Sequence, residues 1–239
     1  MSNALKWTLL VVMTAVIFAA IAFPIAATPA TWYEYPDIPG LGQNAKIIFF
    51  HVPTAWLTVV AFFMATFYGY RYLKNKRLED DVRSLVSLRL GMMFCLLATV
   101  TGMVWAKFAW GAFWHWDPRE TSIFALLLVY GALFALRSAI EDEERRASLS
   151  AAYSILAFVT VPFFIFVMPR VMAGLHPGSG DEASSGPVVN FQMSGNMFVV
   201  FFSSLAAFTL LYRWMWNVAA RVALLRRRRA ERLYYGEPK

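Results

Sequence analysis

Residues 149–168 read LSAAYSILAFVTVPFFIFVM, a run that contains no charged side chain. An α-helix rises about 1.5 Å per residue, so a run of about 20 apolar residues is long enough to cross the hydrocarbon core of a bilayer. Five further apolar runs occur along the 239 residues. The sequence therefore predicts one all-α integral membrane domain with six transmembrane helices, near 8–28, 47–70, 88–106, 121–137, 149–168 and 194–216.

The composition is typical of a membrane protein. Hydrophobic residues make up 59% of the chain and charged residues 15%, against about 25% charged residues in soluble domains. The net charge of +7 raises the alternative of nucleic-acid binding, but the basic residues lie between the apolar runs, as topology signals do. An alternative for the first run is a signal peptide, because Lys6 precedes it and Ala26, Ala27 and Ala30 follow it.

The distribution of lysine and arginine predicts the orientation. If both termini are cytoplasmic, 18 of the 22 basic residues lie on the inner side, as the positive-inside rule requires. The outer segments hold the remaining four, which are Lys46, Lys107, Arg119 and Arg170. The basic cytoplasmic tail, residues 217–239, contains Arg226–Arg229, which either anchors the tail near anionic headgroups or docks a cytoplasmic partner.

All three histidines are predicted on the outer side. His51 lies near the outer end of the second helix, His115 between the third and fourth helices, and His176 between the fifth and sixth. Imidazole is the commonest metal ligand, and two imidazoles suit the axial positions of a haem iron. Single histidines from separate loops suit a structural zinc site poorly, since zinc needs four clustered ligands. The alternative for each histidine alone is a surface or capping residue.

The stretch Trp110–Asp117, WGAFWHWD, is the most informative part of the outer segment 107–120. In a helix, Trp114 would share one face with the first and last residues of this stretch. We therefore expect a short amphipathic tryptophan-rich helix on the outer face, whose rings form a platform for a flat apolar ligand. Two alternatives stay open: tryptophans also form interfacial belts, and residues 117–120, DPRE, are typical of a capped helix start.

Two further segments complete the predicted site. The second helix carries His51-Val52-Pro53 near its start, where proline fits the first turn or else kinks the helix. The outer loop 169–193 carries His176 among several glycines, so we expect a mobile lid. Arg119 is suited to a carboxylate such as a haem propionate, through a bidentate hydrogen bond.

Several motifs are absent from the sequence. The single cysteine, Cys95, lies in an apolar run and is best interpreted as a small buried residue. No CxxC or CxxCH occurs, so thiol redox chemistry and haem attachment through cysteine have no support. No GxxxxGK[ST] occurs either, so this chain is not itself an ATPase.

These stretches resemble the haem-handling membrane proteins that share the tryptophan-rich WWD motif, WGxxWxWD. His51–Trp56, HVPTAW, is similar to the HVPxAW segment of those proteins, and Leu175–Gly178, LHPG, is similar to their LHxG segment. The length, the six predicted spans and the order of the motifs together resemble the CcmC family, the haem exporter proteins of cytochrome c maturation. His115 stands here at the variable position between two tryptophans of the motif.

The resemblance implies a protein that binds and presents haem b and is not a metabolic enzyme. The implied axial ligands of the iron are His51 and His176. The residues implied to bind haem around them are Trp110, Trp114, Trp116, Asp117 and Arg119. The resemblance also implies the partners of the family, which are the ABC-type subunits CcmA and CcmB, the small membrane protein CcmD and the periplasmic haem chaperone CcmE. The implied location is the bacterial inner membrane, with the haem site on the periplasmic side.

Two rival functions are weaker. A cytochrome b-type electron-transfer subunit usually places its histidines inside helices, facing each other across the bundle, whereas here only His51 is near a predicted span. A small-solute transporter places charged or broken-helix sites near the bilayer midplane. No charged residue lies near the centre of any predicted span, so the sequence favours haem handling over both rivals.

Overall fold

The computed structural model describes residues 2–38, 41–176, 193 and 195–235. Within these ranges the chain forms six long α-helices and one short one. Their bounds are Asn3–Ala22 (α1), His51–Asn75 (α2), Leu78–Trp110 (α3), Pro118–Ala139 (α4), Glu143–Pro162 (α5), Met168–Val171 (α6) and Gly195–Tyr235 (α7). The remaining regular segments are a 3-10 helix at Gly42–Phe49, a π-helical turn at Phe163–Val167, and the parallel pair of strands Ile25–Ala26 (β1) and Tyr35–Pro36 (β2).

Six helical segments are long and apolar enough to cross a membrane, which confirms the predicted all-α membrane fold. Two helices extend well past the apolar runs that predicted them. α3 begins at Leu78, and α7 continues through the basic tail to Tyr235. Glutamate, lysine and arginine are good helix formers, so a helix continues into polar sequence after its apolar part has ended.

The prediction of a short tryptophan-rich helix is wrong. Trp110 is the last residue of α3, and residues 111–117 form no helix. Gly111 ends α3 with a left-handed φ of 90°, as glycine commonly does at a helix end. The following proline disfavours helical backbone at Asp117, and Trp116 has a positive φ of 57°. The segment is therefore an irregular connection, and its side chains do not repeat at helical spacing.

α4 begins at the capped start that residues 117–120 indicate, three residues before the apolar span predicted near 121. Asp117 is the N-cap of α4, and its Oδ1 accepts the backbone N–H of Arg119 at 2.9 Å. The side chain of Glu120 in turn accepts the backbone N–H of Asp117 at 3.3 Å, which completes a capping box. Pro118 takes the first helical position, where a backbone N–H is not needed. Pro53 likewise lies in the first turn of α2.

α2 is central to the bundle and packs mainly against α3 and α5, while α1 packs against α7. Small residues permit the close approach of α2 and α5, because a Cβ on Gly69 would lie 3.3 Å from the Cα of Ala151. Aromatic rings fill the interior between α2 and α4, where Phe62 and Tyr130 stack with centroids 3.5 Å apart. The core is thus apolar and tightly packed.

Successive spans run in opposite directions, so the three histidines lie at one end of the bundle. This end, the histidine end, contains the start of α2, the end of α3, the start of α4 and the region after α5. The connection between α1 and α2 covers part of it and is tied to α7. The side-chain amide of Asn196 donates to the carbonyl oxygens of Trp32 and Glu34, at 2.6 and 2.7 Å.

Between α5 and His176 the helix changes from α-helical to π-helical geometry and back. The π-helical turn Phe163–Val167 interrupts the α-helical ladder, a feature that occurs often at functional sites. Arg170 in α6 donates to the carbonyl oxygen of Phe166. The predicted lid, residues 169–193, therefore begins in α6 and continues irregularly to His176, while its residues 177–192 lie outside the described residues.

Candidate functional site

A cavity of about 300 Å³ lies at the histidine end, and we call it the histidine cavity. Its wall is mostly apolar and is formed by the 3-10 helix, the start of α2, the end of α3, the α3–α4 connection, the start of α4, the π-helical turn, α6 and the chain after α6. Its size is at the lower end of the range for small-molecule sites. The titratable side chains in the wall are His51, Arg119, Glu120, Arg170 and His176.

His51, the first residue of α2, is held by a hydroxyl group on α3. Its Nδ1 lies 3.0 Å from Oγ1 of Thr101. The Thr101 hydroxyl donates its own hydrogen to the carbonyl oxygen of Leu97 at 2.8 Å, so it accepts the Nδ1–H of the imidazole. This arrangement leaves the lone pair on Nε2, which makes no hydrogen bond within the described part of the chain. A Cβ on Gly102 would lie 3.1 Å from Cε1 of His51, so glycine makes room for the ring.

His176 is held by a carboxylate. Its Nδ1 lies 3.0 Å from Oδ1 of Asp117, and the backbone N–H of Leu175 donates to Oδ2 at 2.6 Å. Burial raises the pKa of the Asp117 carboxyl, but the hydrogen bonds from His176, from the Arg119 backbone and from Leu175 outweigh it and lower the pKa to about 2. Because the carboxylate is ionised, it accepts from Nδ1–H and leaves the lone pair of His176 on Nε2, the atom with which such an imidazole can bind a metal.

The tryptophans of the WGAFWHWD stretch belong to two aromatic groups. Trp110 packs edge-on against His176 and against Trp105, with centroids 4.8 Å apart in both pairs. Trp114 packs edge-on against Trp116, with centroids 5.5 Å apart. Trp114 lines the histidine cavity, whereas 64% of the surface of Trp116 is exposed. The rings therefore meet edge to face and do not form one flat surface.

Buried polar atoms without a partner collect at this cavity. Among the described residues, Nε1 of Trp105, Nε1 of Trp114 and Nε of Arg119 are donors that make no hydrogen bond. Oε1 of Glu120 is a buried acceptor that likewise makes no hydrogen bond with the described residues. All four residues line the cavity. Buried polar groups are nearly always hydrogen-bonded, so orphaned ones call for a ligand or water. Three orphaned donors in one cavity fit the carboxylates of an anionic ligand.

The structure brings together six of the seven predicted site residues. The cavity wall includes His51, Trp114, Arg119 and His176. Asp117 and Trp110 do not line the cavity, but both contact the ring of His176. Trp116 is the exception, since it does not line the cavity and instead contacts Trp114 and Phe124.

His115 lies beside the cavity and is not part of its wall. Its ring contacts Trp110 with centroids 5.7 Å apart, and its backbone N–H donates to Glu120 at 2.7 Å. Its Nδ1 is buried and has no hydrogen-bond partner in the described ranges. This position makes His115 the natural control for experiments on the other two histidines.

A sequence profile of the family described as Heme exporter protein C matches residues 1–234. The chain belongs to the Heme exporter protein C family. It is similar to the Heme exporter protein C of Bradyrhizobium diazoefficiens, with 30% identity over 81% of this chain and 72% of that protein. It is also similar to those of Paracoccus denitrificans, with 27% identity over 79% and 77%, and Escherichia coli, with 31% identity over 58% and 56%.

The motifs that carried the resemblance to the Heme exporter protein C family did not include three residues of the site. Thr101 and Trp105 lie one turn apart on the same face of α3, and the sequence did signal Trp105 by placing it five residues before Trp110. No local pattern pairs Thr101 with His51, since 50 residues separate them. Glu120 was expected as a capping residue, and its orphaned Oε1 is visible only in the structure.

The donor set fits haem and does not fit a bare metal ion. Within the described residues, no group of three or more His, Cys, Asp or Glu side chains is placed to hold a metal. Two imidazoles whose Nε2 atoms make no hydrogen bond to any described residue suit the two axial positions of a haem iron. The apolar wall suits the porphyrin, and the orphaned donors suit its carboxylates.

Proposed function

We propose that this multi-pass membrane protein binds haem b in the histidine cavity, with His51 and His176 as axial ligands, and presents it on the periplasmic side to the haem chaperone CcmE. Membership of the Heme exporter protein C family supports a role in haem handling for cytochrome c maturation. The observation that carries the ligand assignment is that both histidines line one cavity with Nδ1 in a hydrogen bond, while neither Nε2 has a hydrogen-bond partner in the part of the chain that the structure describes.

The donors of the cavity hold the carboxylates of the cargo. Nε of Arg119 and Nε1 of Trp114 are orphaned and line the cavity, and a hydrogen bond to a carboxylate satisfies both. A charged donor forms the stronger hydrogen bond, so Arg119 contributes most of the binding energy of the carboxylates. Trp105 supplies a third donor from α3.

The two proposed ligands are held by different elements of the fold, and this difference supports presentation to a chaperone. His51 is part of α2, whereas His176 follows the four-residue helix α6 and is fixed through Asp117 and Leu175. The His176 side is held by fewer helical contacts, so it is the side that yields when CcmE approaches. Haem then passes to the chaperone while His51 still holds the iron.

In this proposal, other subunits supply the energy that releases the haem-loaded chaperone. The sequence has no nucleotide-binding motif, so the ABC-type subunits CcmA and CcmB, together with CcmD, release the loaded chaperone. The protein accordingly acts as a haem-delivery component and not as a classical enzyme. The proposed location is the bacterial inner membrane.

The test of the site is the optical spectrum of the detergent-purified protein supplied with equal haem. We expect a low-spin spectrum from the wild type, and a high-spin spectrum or no bound haem from His51→Ala and from His176→Ala. His115→Ala is the matched control and keeps the wild-type spectrum. If both site variants match the wild type and His115→Ala does not, the ligand assignment is wrong.

Delivery needs its own test. The haem-loaded protein is mixed with purified CcmE, and covalent haem on CcmE is followed by haem staining of a denaturing gel. We expect transfer from the wild type and none from the two histidine variants. Transfer at the wild-type rate from free haem alone would contradict a presenting role.

A further inference from the structure

A second cavity, of about 500 Å³, lies at the end of the bundle opposite the histidine cavity. It lies between the first turn of α1, the early part of α3 and the later part of α7, and we call it the arginine groove. Its polar wall is formed by Arg83, Arg213, Asn217, Arg221 and Arg228. The α7 members follow one another at spacings of four, four and seven residues, which places them on one helix face.

Most of the charge in the arginine groove is uncompensated. Arg83 is paired with Asp80, with Nη1 3.0 Å from Oδ1. Arg213, Arg221 and Arg228 are exposed, and none of them forms an ion pair with the described residues. Arg213 and Arg221 lie about 12 Å apart along α7, so their long side chains can converge on one anion, which offsets the repulsion between their like charges.

The other wall of the groove is apolar and rigid. Trp216 is fixed by a hydrogen bond from its Nε1 to Oγ of Ser87 at 2.8 Å, and its ring stacks on Tyr68 with centroids 5.5 Å apart. Leu5 of α1 and Leu224 of α7 line the groove beside it. A ligand that fits both walls carries an anionic group on an apolar body.

The position of the groove relative to the hydrocarbon core of the membrane indicates which ligand it binds. From Gly195 to Tyr212, α7 carries no charged residue, a length of about 27 Å at the helical rise, close to the thickness of the hydrocarbon core. Arg213 therefore lies where the helix leaves the hydrocarbon, at the level of lipid headgroups. Basic pockets between membrane helices at this level bind the phosphates of anionic lipids.

We propose that the arginine groove is a binding site for one anionic phospholipid, whose phosphate is held by Arg213 and Arg221. The groove wall contains no histidine, methionine or cysteine, so it offers no ligand for an iron porphyrin. The site does not depend on the function proposed for the histidine cavity, because the two cavities share no residue.

The test is native mass spectrometry of the full-length protein in detergent, supplied with phosphatidylglycerol or with phosphatidylcholine of the same acyl chains. The wild type retains phosphatidylglycerol preferentially. The double variant Arg213→Gln/Arg221→Gln removes this preference, with a loss of about fivefold for each arginine. The matched control Arg226→Gln/Arg229→Gln removes the same charge from the same helix, at residues outside the groove, and stays within about twofold of the wild type.

Three outcomes would overturn the proposal. Equal loss in both double variants would mean diffuse attraction of lipid by the basic tail. Full displacement of the lipid by millimolar inorganic phosphate would assign the groove to the free anion. Displacement by a metal-free dicarboxylic porphyrin at equal concentration would assign it to a porphyrin. Circular dichroism and gel filtration establish that each variant is folded. The double variant Arg213→Lys/Arg221→Lys keeps both charges and is expected to retain most of the binding.

Discussion

At the residue scale, the two cavity histidines differ in the group that holds Nδ1. His51 donates to a neutral hydroxyl, and His176 donates to an ionised carboxylate. A carboxylate partner forms the stronger hydrogen bond and makes the imidazole a more basic ligand. Asp117 therefore strengthens His176 in its proposed role as an iron ligand.

The first prediction concerns Asp117→Asn. Asparagine still accepts from the Arg119 backbone, so α4 keeps much of its cap, but the charge beside His176 is lost. We expect haem affinity to fall about 10- to 100-fold, measured by haem titration of the purified protein. The matched control is Asp142→Asn, which removes the charge from the N-cap of α5, remote from the histidine cavity. An equal loss of haem in both variants would mean that only helix capping had been tested.

The low pKa of Asp117 gives a second prediction, for the haem-free protein. The carboxyl titrates at its usual pKa of 3.8 when unfolded and at about 2 when folded. Since the folded pKa is the lower one, the ionised carboxylate stabilises the fold above pH 3.8, and this contribution is lost as the pH falls to about 2. The gap in thermal midpoint between the wild type and Asp117→Asn therefore closes as the pH falls from about 5 to about 2. A gap that instead changed near neutral pH would point to another group.

The third prediction uses the contact between Gly102 and His51. A Cβ at position 102 would lie 3.1 Å from Cε1 of the imidazole, so Gly102→Ala displaces the ring and lowers haem affinity. Alanine is also the better helix former, by about 1 kcal/mol, so the haem-free protein does not lose stability through its helix. Gly131→Ala is the control, because a Cβ there meets nothing within 4 Å. Wild-type haem binding by Gly102→Ala would show that the ring has room to move.

At the element scale, the connection between α3 and α4 shows what the sequence could and could not predict. Apart from Trp116, the motif pointed to residues that the fold brings together around the histidine cavity, because residue types carry chemistry. The helical period assigned to it was wrong, because Gly111 and the proline after Asp117 break the backbone on both sides. Those two residues were visible in the sequence. The contact of Asp117 with His176 was not, since 59 residues separate them.

A buried ion pair that joins α3 to α4 gives the fourth prediction. Arg137 donates to both carboxylate oxygens of Asp81, at 2.7 and 2.9 Å, and both side chains are buried. Asp81→Asn leaves the arginine charge buried and unpaired, which costs about 3–5 kcal/mol, measured by unfolding in detergent. Glu143→Gln breaks the more exposed pair with Arg227 and costs about 1 kcal/mol or less. Equal effects of the two changes would show that the Asp81 pair is open to water.

At the scale of the whole molecule, the two ends of the bundle differ in charge and in the residues that line their cavities. The four basic residues predicted for the outer segments, Lys46, Lys107, Arg119 and Arg170, all lie at the histidine end. The basic part of α7 lies at the other end. Apolar runs and charge counts were enough to predict this division, because both act through the bilayer and need no tertiary contact. The lining of the cavity could be identified only from the fold, since it joins residues that are as far apart in the sequence as Ile47 and His176.

The last prediction tests which end faces the outside of the cell. Asp37 is exposed after β2 at the histidine end, and Glu141 is exposed between α4 and α5 at the opposite end. The native Cys95 has 0% of its surface exposed, so the wild type gives little background with a membrane-impermeant maleimide. In intact cells whose outer membrane has been opened, we expect Asp37→Cys to react at once and Glu141→Cys to react only after the inner membrane is permeabilised. The reverse pattern would place the histidine cavity on the cytoplasmic side. Haem binding would then stand, but delivery to a periplasmic chaperone would not, because the ligands would face the wrong compartment.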